Sequence, residues 1–553
     1  MAHDKDQSRR TFLKAAGAAA AAASLAGCSG GGGQETTTEG ETTTDSGGAD
    51  TETEAPDTET TEEESDGSTE SFEVTITQGQ MPTGLDPHDH RETSTDNVVL
   101  HAYEGLLARD REGATIEGLA TEYERVEDGL VRFTIRDGVT FHNGDDFTPQ
   151  DAAYSINRIV DPEVDFESPQ NDQLAGVTGA EVASDADNAV DVSSEGFNPT
   201  VFSSFATYGD MVQQSWIEDN ESSYINQNMN GTGPFQFAEY SQDESVVLER
   251  YDDYWDGAAD VSQLTFTAAS ESSTRVNQLL SGETDVIVNV PPQDAERVRG
   301  NDSTRLSAVP STRLVFAAMR YDVEPFGSQQ FRQAMNYAID LDGIIENVLQ
   351  TFGAPTAQPT LEGFVGHNPD LDPYPHDPDQ AESLVEESGH AGVEITLDGP
   401  TGRYLRDVEI AQAVADQIDS LSNVSCSYNQ REFSSLAGEV TNGDITTSPP
   451  FYLLGWGEAT FEGALTIGSL MTSDGALTSF SNDEIDDLHA QAQSEPDAEE
   501  RESILQELNA VVHEQAPWVF LNRQYSVYGV NERVSWQARS DERINAYAMS
   551  PSE

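Results

Sequence analysis

Apolar and polar positions alternate with period two along Phe72-Glu-Val-Thr-Ile-Thr-Gln78 and again along Val131-Arg-Phe-Thr-Ile-Arg136, which predicts two half-buried strands. Asp137-Gly138 supplies the turn residues that would return the second strand as a hairpin through Val139-Thr-Phe141. Immediately after it, Thr148-Pro149-Gln150-Asp151 offers an N-cap, a proline at the first helical position and an acid at the third. A helix carrying Ala152, Ile156 and Ile159 is therefore predicted to open there. Helical spacing places Phe331, Ala334, Met335, Ala338 and Ile339 on one face, and Val408, Ala411, Val414, Ala415, Ile418 and Leu421 on another. A third face carries Ile504, Leu505, Leu508, Val511 and Val512 and stops near Pro517. Between these helices, Thr284-Asp-Val-Ile-Val-Asn-Val290 and Tyr452-Leu-Leu454 read as strands. Strands and helices interleave with no repeat at solenoid or propeller periods, so the pattern predicts a large α/β body of two or three lobes.

The pattern is absent at the start of the chain. Residues 29–70 are almost entirely Gly, Thr, Glu, Ser and Asp, with fourteen acidic and no basic residues. Such a segment buries too little apolar surface to offset its ordering entropy and is expected to act as an extended tether. Ahead of it, the apolar run Ala15–Leu25 is mostly alanine and well short of the roughly twenty strongly apolar residues of a membrane span. Ser8-Arg9-Arg10-Thr11-Phe12-Leu13-Lys14 resembles the signal read by the twin-arginine pathway, and Leu25-Ala26-Gly27-Cys28 resembles a lipobox. The resemblance implies a signal over 1–27, a lipid on Cys28, a tether over 28–71 and a mature protein held on the outer face of the cell membrane.

Charge adds a constraint on partners. The 553 residues hold 101 acidic against 27 basic side chains, a formal net charge of −74, and the only lysines are Lys5 and Lys14. This imbalance fits molar salt, where screening shortens and self-repulsion costs little, and a haloarchaeal source is expected. It argues against nucleic acid as a partner, since phosphate neutralisation needs clustered Lys and Arg. With no lysine after Cys28, a Walker A loop, a pyridoxal phosphate Schiff base and a Ser-x-x-Lys nucleophile are excluded, so any ATPase in the system is a separate polypeptide. With Cys28 lipidated, Cys426 stands alone, which leaves no disulfide framework and no cysteine-based zinc site.

Several segments in series resemble the family 5 extracellular solute-binding proteins of ABC importers, the dipeptide, oligopeptide and nickel group. Pro82-Thr-Gly-Leu-Asp86-Pro87 is similar to the family's opening segment, and His101-Ala-Tyr103-Glu104-Gly105-Leu106-Leu107-Ala-Arg109-Asp110 to its following helix. Phe133 to Gly144 and Thr148 to Ser155 match the signature almost residue for residue. Gly231-Thr232-Gly233-Pro234-Phe235 and Phe331-Arg332-Gln333-Ala334-Met335-Asn336-Tyr337-Ala338-Ile339-Asp340 follow in the expected order. The resemblance implies a type II periplasmic-binding fold with two lobes around a hinge. Lobe I would comprise 72–110, 231–314 and 516–553, with an extra subdomain over 111–230, and lobe II 315–515. As residues, Asp137-Gly138 reads as a turn, Gly231 and Gly233 as positions of positive φ, and Pro234 as a stiffener.

The resemblance also implies the activity: a monomeric receptor, not an enzyme, that holds a di- or oligopeptide between its lobes without any cofactor and delivers it to a membrane permease. An oligosaccharide, a nickel complex, a sensory role and a secreted hydrolase are the alternatives, although no Gly-x-Ser-x-Gly or His-Glu-x-x-His motif appears. In peptide-binding members a Gly-Trp followed by Asp lines the cleft, and the aspartate holds the ligand's ammonium. The matching run here is Gly455-Trp456-Gly457-Glu458-Ala459-Thr460, with Ala459 at the aspartate's place. Trp456 is expected to offer a stacking face and Glu458 to substitute for the aspartate. Arg403, Tyr404 and Arg406, after Gly399-Pro400, are candidate contacts from lobe II. Asp86-Pro87-His88-Asp89-His90 holds residues competent to bind a metal but reads as a turn, and no metal site is expected. The sequons at Asn220, Asn230, Asn301 and Asn423 are candidate glycosylation sites, with Asn230 the weakest because it abuts the Gly-Thr-Gly-Pro loop.

Overall fold

Two long antiparallel strands, Thr304–Met319 and Trp518–Asn531, form the middle of an eleven-stranded sheet. The computed structural model describes residues 71–174, 176–441 and 444–553; the export signal, Cys28 and the tether up to residue 70 lie outside them. On one flank the sheet continues through Val286–Ile287, Glu73–Gln78, Gln263–Ala268, Ser245–Arg250 and Phe235–Ser241. On the other it continues through Phe451–Gly457, Val393–Gly399 and Val424–Gln430. The short strand Gly353–Pro355 pairs with Trp518–Asn531 off this path.

The predicted alternation sets the register on the first flank. Val74 and Ile76 pair in parallel with Leu264 and Phe266, and all four are buried in one core with Val246 and Leu248. On the second flank Val393–Gly399 runs parallel to Val424–Gln430, and the helix Asp407–Asp419 makes the crossover between them. Both faces of that flank are covered. Ile410, Val414 and Ile418 join Phe331 and Met335 on one face, while Ile467, Ile485, Leu508 and Val512 join Leu454 and Trp518 on the other.

The two long strands lose register twice, between Pro310 and Leu314 and between Val315 and Phe316. Proline cannot donate to the ladder, and the looped-out Ser311 and Thr312 are buried, so other groups must satisfy this backbone. Arg523 does so, donating to Ser311 O at 2.5 Å and to Glu362 O at 2.8 Å.

A separate four-stranded sheet, in the order Ala120–Glu127, Leu130–Ile135, Ala189–Ser194 and Val177–Val182, packs with the helix Pro149–Val160 around Phe133, Phe141, Ile156 and Phe205. The helix begins as expected. Thr148 Oγ1 accepts from Asp151 N and the Asp151 carboxylate accepts from Thr148 N, a capping box of about 1 kcal/mol.

Four expectations are corrected. The hairpin through Val139–Phe141 does not form, because Ala120–Glu127 and Ala189–Ser194 occupy both edges of Leu130–Ile135; Val139 and Phe141 instead enter the core. Residues 101–110 are not a helix. The helix is Thr93–Val99, and the backbone after it is spent elsewhere: His101 O accepts from Phe235 N, Ala102 O from Gly233 N, and Leu107–Arg109 is a strand. Gly231 and Gly233 are not at positive φ. Their need for glycine is close approach, since a Cβ at 231 would lie 1.8 Å from Ala102 O and one at 233 would lie 2.6 Å from His101 O. The strand expected over 284–290 is limited to Val286–Ile287. The last helix carries the expected Ile504–Val512 face and opens at Ala498 behind an Asp497 cap.

The Asp86–His90 run is a packed joint. Arg158 grips Asp86 with two bonds of 2.9 and 2.6 Å and meets His88 Nδ1 at 2.9 Å, tying the opening segment to the helix Pro149–Val160. Among the described residues no group of three or more His, Cys, Asp or Glu is placed to hold a metal ion. Cys426 is buried among apolar side chains, and burial pushes its thiol up to about 12. No helix among the described residues is long and apolar enough to cross a membrane.

Candidate functional site

The strand Phe451–Gly457 is fully buried until Leu454 and then emerges as Gly455-Trp456-Gly457. In register it faces the long strand, with Trp456 opposite Leu314 and Gly457 opposite Arg313. The flanking glycines are sites of close approach. A Cβ at 455 would lie 2.7 Å from the Tyr404 ring, whose hydroxyl donates to Gly455 O at 3.1 Å. A Cβ at 457 would lie 3.1 Å from the Arg313 guanidinium, which reaches on to Glu542 at 3.3 Å. Between them the indole of Trp456 is partly buried, and its N–H has neither solvent nor an acceptor.

The structure packs Tyr404 against Gly455 on one face of this strand and Trp456 beside Leu454 on the other, and it sets the Arg403 guanidinium 5.5 Å from the centre of the Tyr404 ring and 5.2 Å from that of Phe433. It does not bring Arg406 to them. Arg406 takes φ +60° ahead of its helix and pairs with Glu409 at 2.9 Å.

Glu458 begins the loop beyond the strand and is only 8 % exposed. Its Oε1 accepts from Thr460 Oγ1 at 2.6 Å and Thr460 N at 3.2 Å. Burial raises its carboxyl above the usual range and nearby Glu462 adds to this, while the Thr460 bonds and Arg109 hold it back. One face of this carboxylate therefore shapes its own loop.

The loop Glu458–Glu462 is clamped onto the four-stranded subdomain. Arg109 donates to Gly113 O, Ser203 O and Thr460 O, each at 2.7 Å, and to Thr207 Oγ1 at 2.8 Å. Ser203 donates to Glu462 at 2.8 Å, and Glu462 also pairs with buried Arg501 at 2.9 Å. The Phe461 ring, at φ +60°, lies 5.1 Å beneath the Arg109 guanidinium.

Beside this clamp lies a cavity of about 210 Å³. Arg109, Tyr208 and Phe205 wall it on the subdomain side, Glu104 and Tyr254 on the first flank, and Arg543 and Tyr547 on the C-terminal segment. None of Trp456, Glu458, Arg403, Tyr404 or Arg406 lines it. Glu458 does bear on its wall, for burial first and the Glu458 charge next raise the Tyr208 hydroxyl.

Two cavity carboxylates are pushed up to about 7 by burial. Glu104 keeps this value against donors from Tyr254 at 2.7 Å, Thr232 at 2.8 Å and Trp255 at 3.1 Å. Asp210 is opposed chiefly by Arg543. Sequence reasoning quoted Glu104 without assigning it a role and did not single out Asp210, Tyr208 or Arg543; nothing local distinguishes them before the chain folds.

Comparisons with known proteins place this architecture. Residues 114–478 match the model of the bacterial extracellular solute-binding proteins, family 5 middle region, and residues 6–26 match the twin-arginine translocation pathway signal sequence. Heme-binding protein A of Haemophilus influenzae is 23 % identical over 500 residues, 85 % of this chain and 90 % of that protein. Glutathione-binding protein GsiB of Pectobacterium atrosepticum is 24 % identical over 463 residues, 81 % and 88 % of the two chains. The periplasmic binding protein DppA of Helicobacter pylori, solved with the peptide STSA, superposes with a TM-score of 0.71 at 18 % identity, covering 87 % of this chain and 98 % of that one. The fold is that of the type II periplasmic binding proteins, and the twin-arginine signal marks an exported chain. With the family model spanning well over half its length, the chain belongs to the family 5 extracellular solute-binding proteins, which bind solutes rather than transform them.

Proposed function

We propose that this protein is the lipid-anchored receptor of an ABC importer in a halophilic cell, binding a short peptide or peptide-like solute between two lobes and passing it to a permease. The lobes are those expected from the sequence, 72–110 with 231–314 and 516–553 against 315–515, and the extra subdomain is 111–230. Cys28 carries the lipid. The observation that carries the reading is the Gly455-Trp456-Gly457 strand end. It holds a partly buried aromatic ring where a strand of lobe II emerges, beside Arg313, which pairs with Glu542, both of lobe I. A partly exposed aromatic face at a strand end suits a peptide group, which presents a flat amide. The relatives' ligands, a tetrapeptide and glutathione, favour this class, while heme keeps a second planar class in view.

A thermal-shift screen in molar KCl over short peptides, glutathione, oligosaccharides and nickel tests it, because a ligand that binds only the folded form raises Tm by mass action. A rise with peptides that Trp456→Ala abolishes is expected. A rise only with sugars or nickel would overturn the peptide class, and turnover of a peptide would overturn the receptor reading.

A further inference from the structure

Four sequons stand in an exported chain, and the fold treats them differently. Three have their amide nitrogen spent. Asn230 is 4 % exposed: its Nδ2 donates to Gln213 Oε1 at 2.8 Å, its Oδ1 accepts from Asn143 N at 3.1 Å, and the hydroxyl of Thr232 is committed to Glu104. Asn220 closes the helix Gln214–Asp219 and donates from Nδ2 to Trp216 O at 2.7 Å. Asn423 donates from Nδ2 to Glu382 O at 2.9 Å and its Oδ1 is buried. Its sequon runs on into Val424–Gln430, which is held extended against Val393–Gly399 and cannot fold into a turn. Asn301 differs on each count. It lies half-exposed between the helix Pro292–Arg299 and the strand Thr304–Met319, and Asp302 and Ser303 after it are exposed. Ser303 N donates to Asn301 Oδ1 at 2.8 Å, an Asx turn that holds the amide oxygen against the backbone and turns Nδ2 outward. Among the described residues nothing accepts a hydrogen bond from that nitrogen, and none bonds the Ser303 hydroxyl.

We propose that Asn301 carries an N-linked glycan, attached after the chain has folded. The donor is an oligosaccharide joined through its anomeric carbon to a lipid phosphate and presented by a transferase outside the cell. Asn301 Nδ2 attacks that carbon and a C–N bond forms. The C–O bond to phosphate breaks, the phosphate leaves with the electron pair, and one Nδ2 proton passes to a base of the transferase. The hydrogen bond on Oδ1 draws charge from the amide and eases loss of that proton. The modification goes beyond the receptor reading and does not depend on the class of ligand. It also leaves the candidate site open: Asn301 precedes the Thr304 end of the long strand, whereas Trp456 lies opposite Leu314, roughly 30 Å further along at about 3.3 Å per residue.

Trypsin frees Asn301 in the short peptide Gly300–Arg305, because Arg299 and Arg305 flank it. Mass spectrometry of the protein purified from its native cells is expected to find this peptide carrying added sugar mass, and the peptides holding Asn220, Asn230 and Asn423 unmodified. Ser303→Ala should abolish the addition and Ser303→Thr should keep it. Melting curves that match the parent for both variants separate loss of the sugar from loss of the fold. A Gly300–Arg305 peptide found only unmodified, or sugar that survives in Ser303→Ala, overturns the site. Sugar on Asn220 or Asn423 as well overturns attachment after folding, since both nitrogens are free only in the unfolded chain.

Discussion

At the scale of single residues, burial makes the stability of the fold depend on pH through Asp210. Its folded-state value of about 7 lies above the ordinary 3.8, so as pH rises the unfolded chain gives up this proton first. The folded state then holds the extra proton between about pH 4 and 7, and stability falls across that window. Asp210→Asn removes the effect. Its Tm should match the parent near pH 4 and exceed it at pH 8, with an upper bound of about 4 kcal/mol, and a Tm difference independent of pH would contradict this. A different residue-scale prediction concerns Gly231. A methyl group there meets the Ala102 carbonyl, so Gly231→Ala should cost about 3 kcal/mol or prevent folding, read from denaturant midpoints. Trp456 was visible in the sequence because it is one of only five tryptophans, and the glycines because they stand in the distinctive runs Gly231-Thr-Gly233-Pro234 and Gly455-Trp-Gly457. The sequence could not reveal Asp210, one of 101 acidic residues, whose raised carboxyl comes from burial beside a cavity assembled by segments distant in the chain.

At the scale of elements, periodicity was enough for the helices. Thr148-Pro149-Gln150-Asp151 starts a helix with its own side chains, so its neighbours hardly matter. Strands were less legible for the opposite reason. Leu130–Ile135 alternates as expected, but which segment pairs with it is decided by non-local edges, and the adjacent turn lost to Ala189–Ser194. The clamp between Glu458–Glu462 and the subdomain yields a prediction at this scale. Glu462 is buried between Ser203 and Arg501, and Glu462→Gln leaves Arg501 without its counter-charge, which should cost about 3–5 kcal/mol in chemical denaturation. Ser203→Ala removes the bond between the subdomain and Glu462, along with a longer one to Thr200 O within the subdomain. It should leave Tm nearly unchanged and speed ligand release in stopped-flow, and an unchanged off-rate would show that the clamp does not hold the closed form.

At the scale of the whole molecule, a hinge between the proposed lobes would fall where Thr304–Met319 and Trp518–Asn531 lose register, since these strands belong to both flanks of the sheet. The tether and lipid proposed for the N-terminal segment would act on a different problem, keeping the receptor near its permease. Cys28→Ser should leave ligand affinity intact and release the protein from membranes in fractionation, and retention would count against the anchor. The shared strands also dictate an order of assembly. Trp518–Asn531 separates Val286–Ile287 from Thr304–Met319 in the sheet, yet it is synthesised roughly two hundred residues after both. A growing chain therefore holds two unjoined half-sheets, each with an open edge, until the last strand of this sheet arrives to zip them. A chain stopped at Gln515 should aggregate instead of melting cooperatively, and the strand that closes the fold doubles as its quality check.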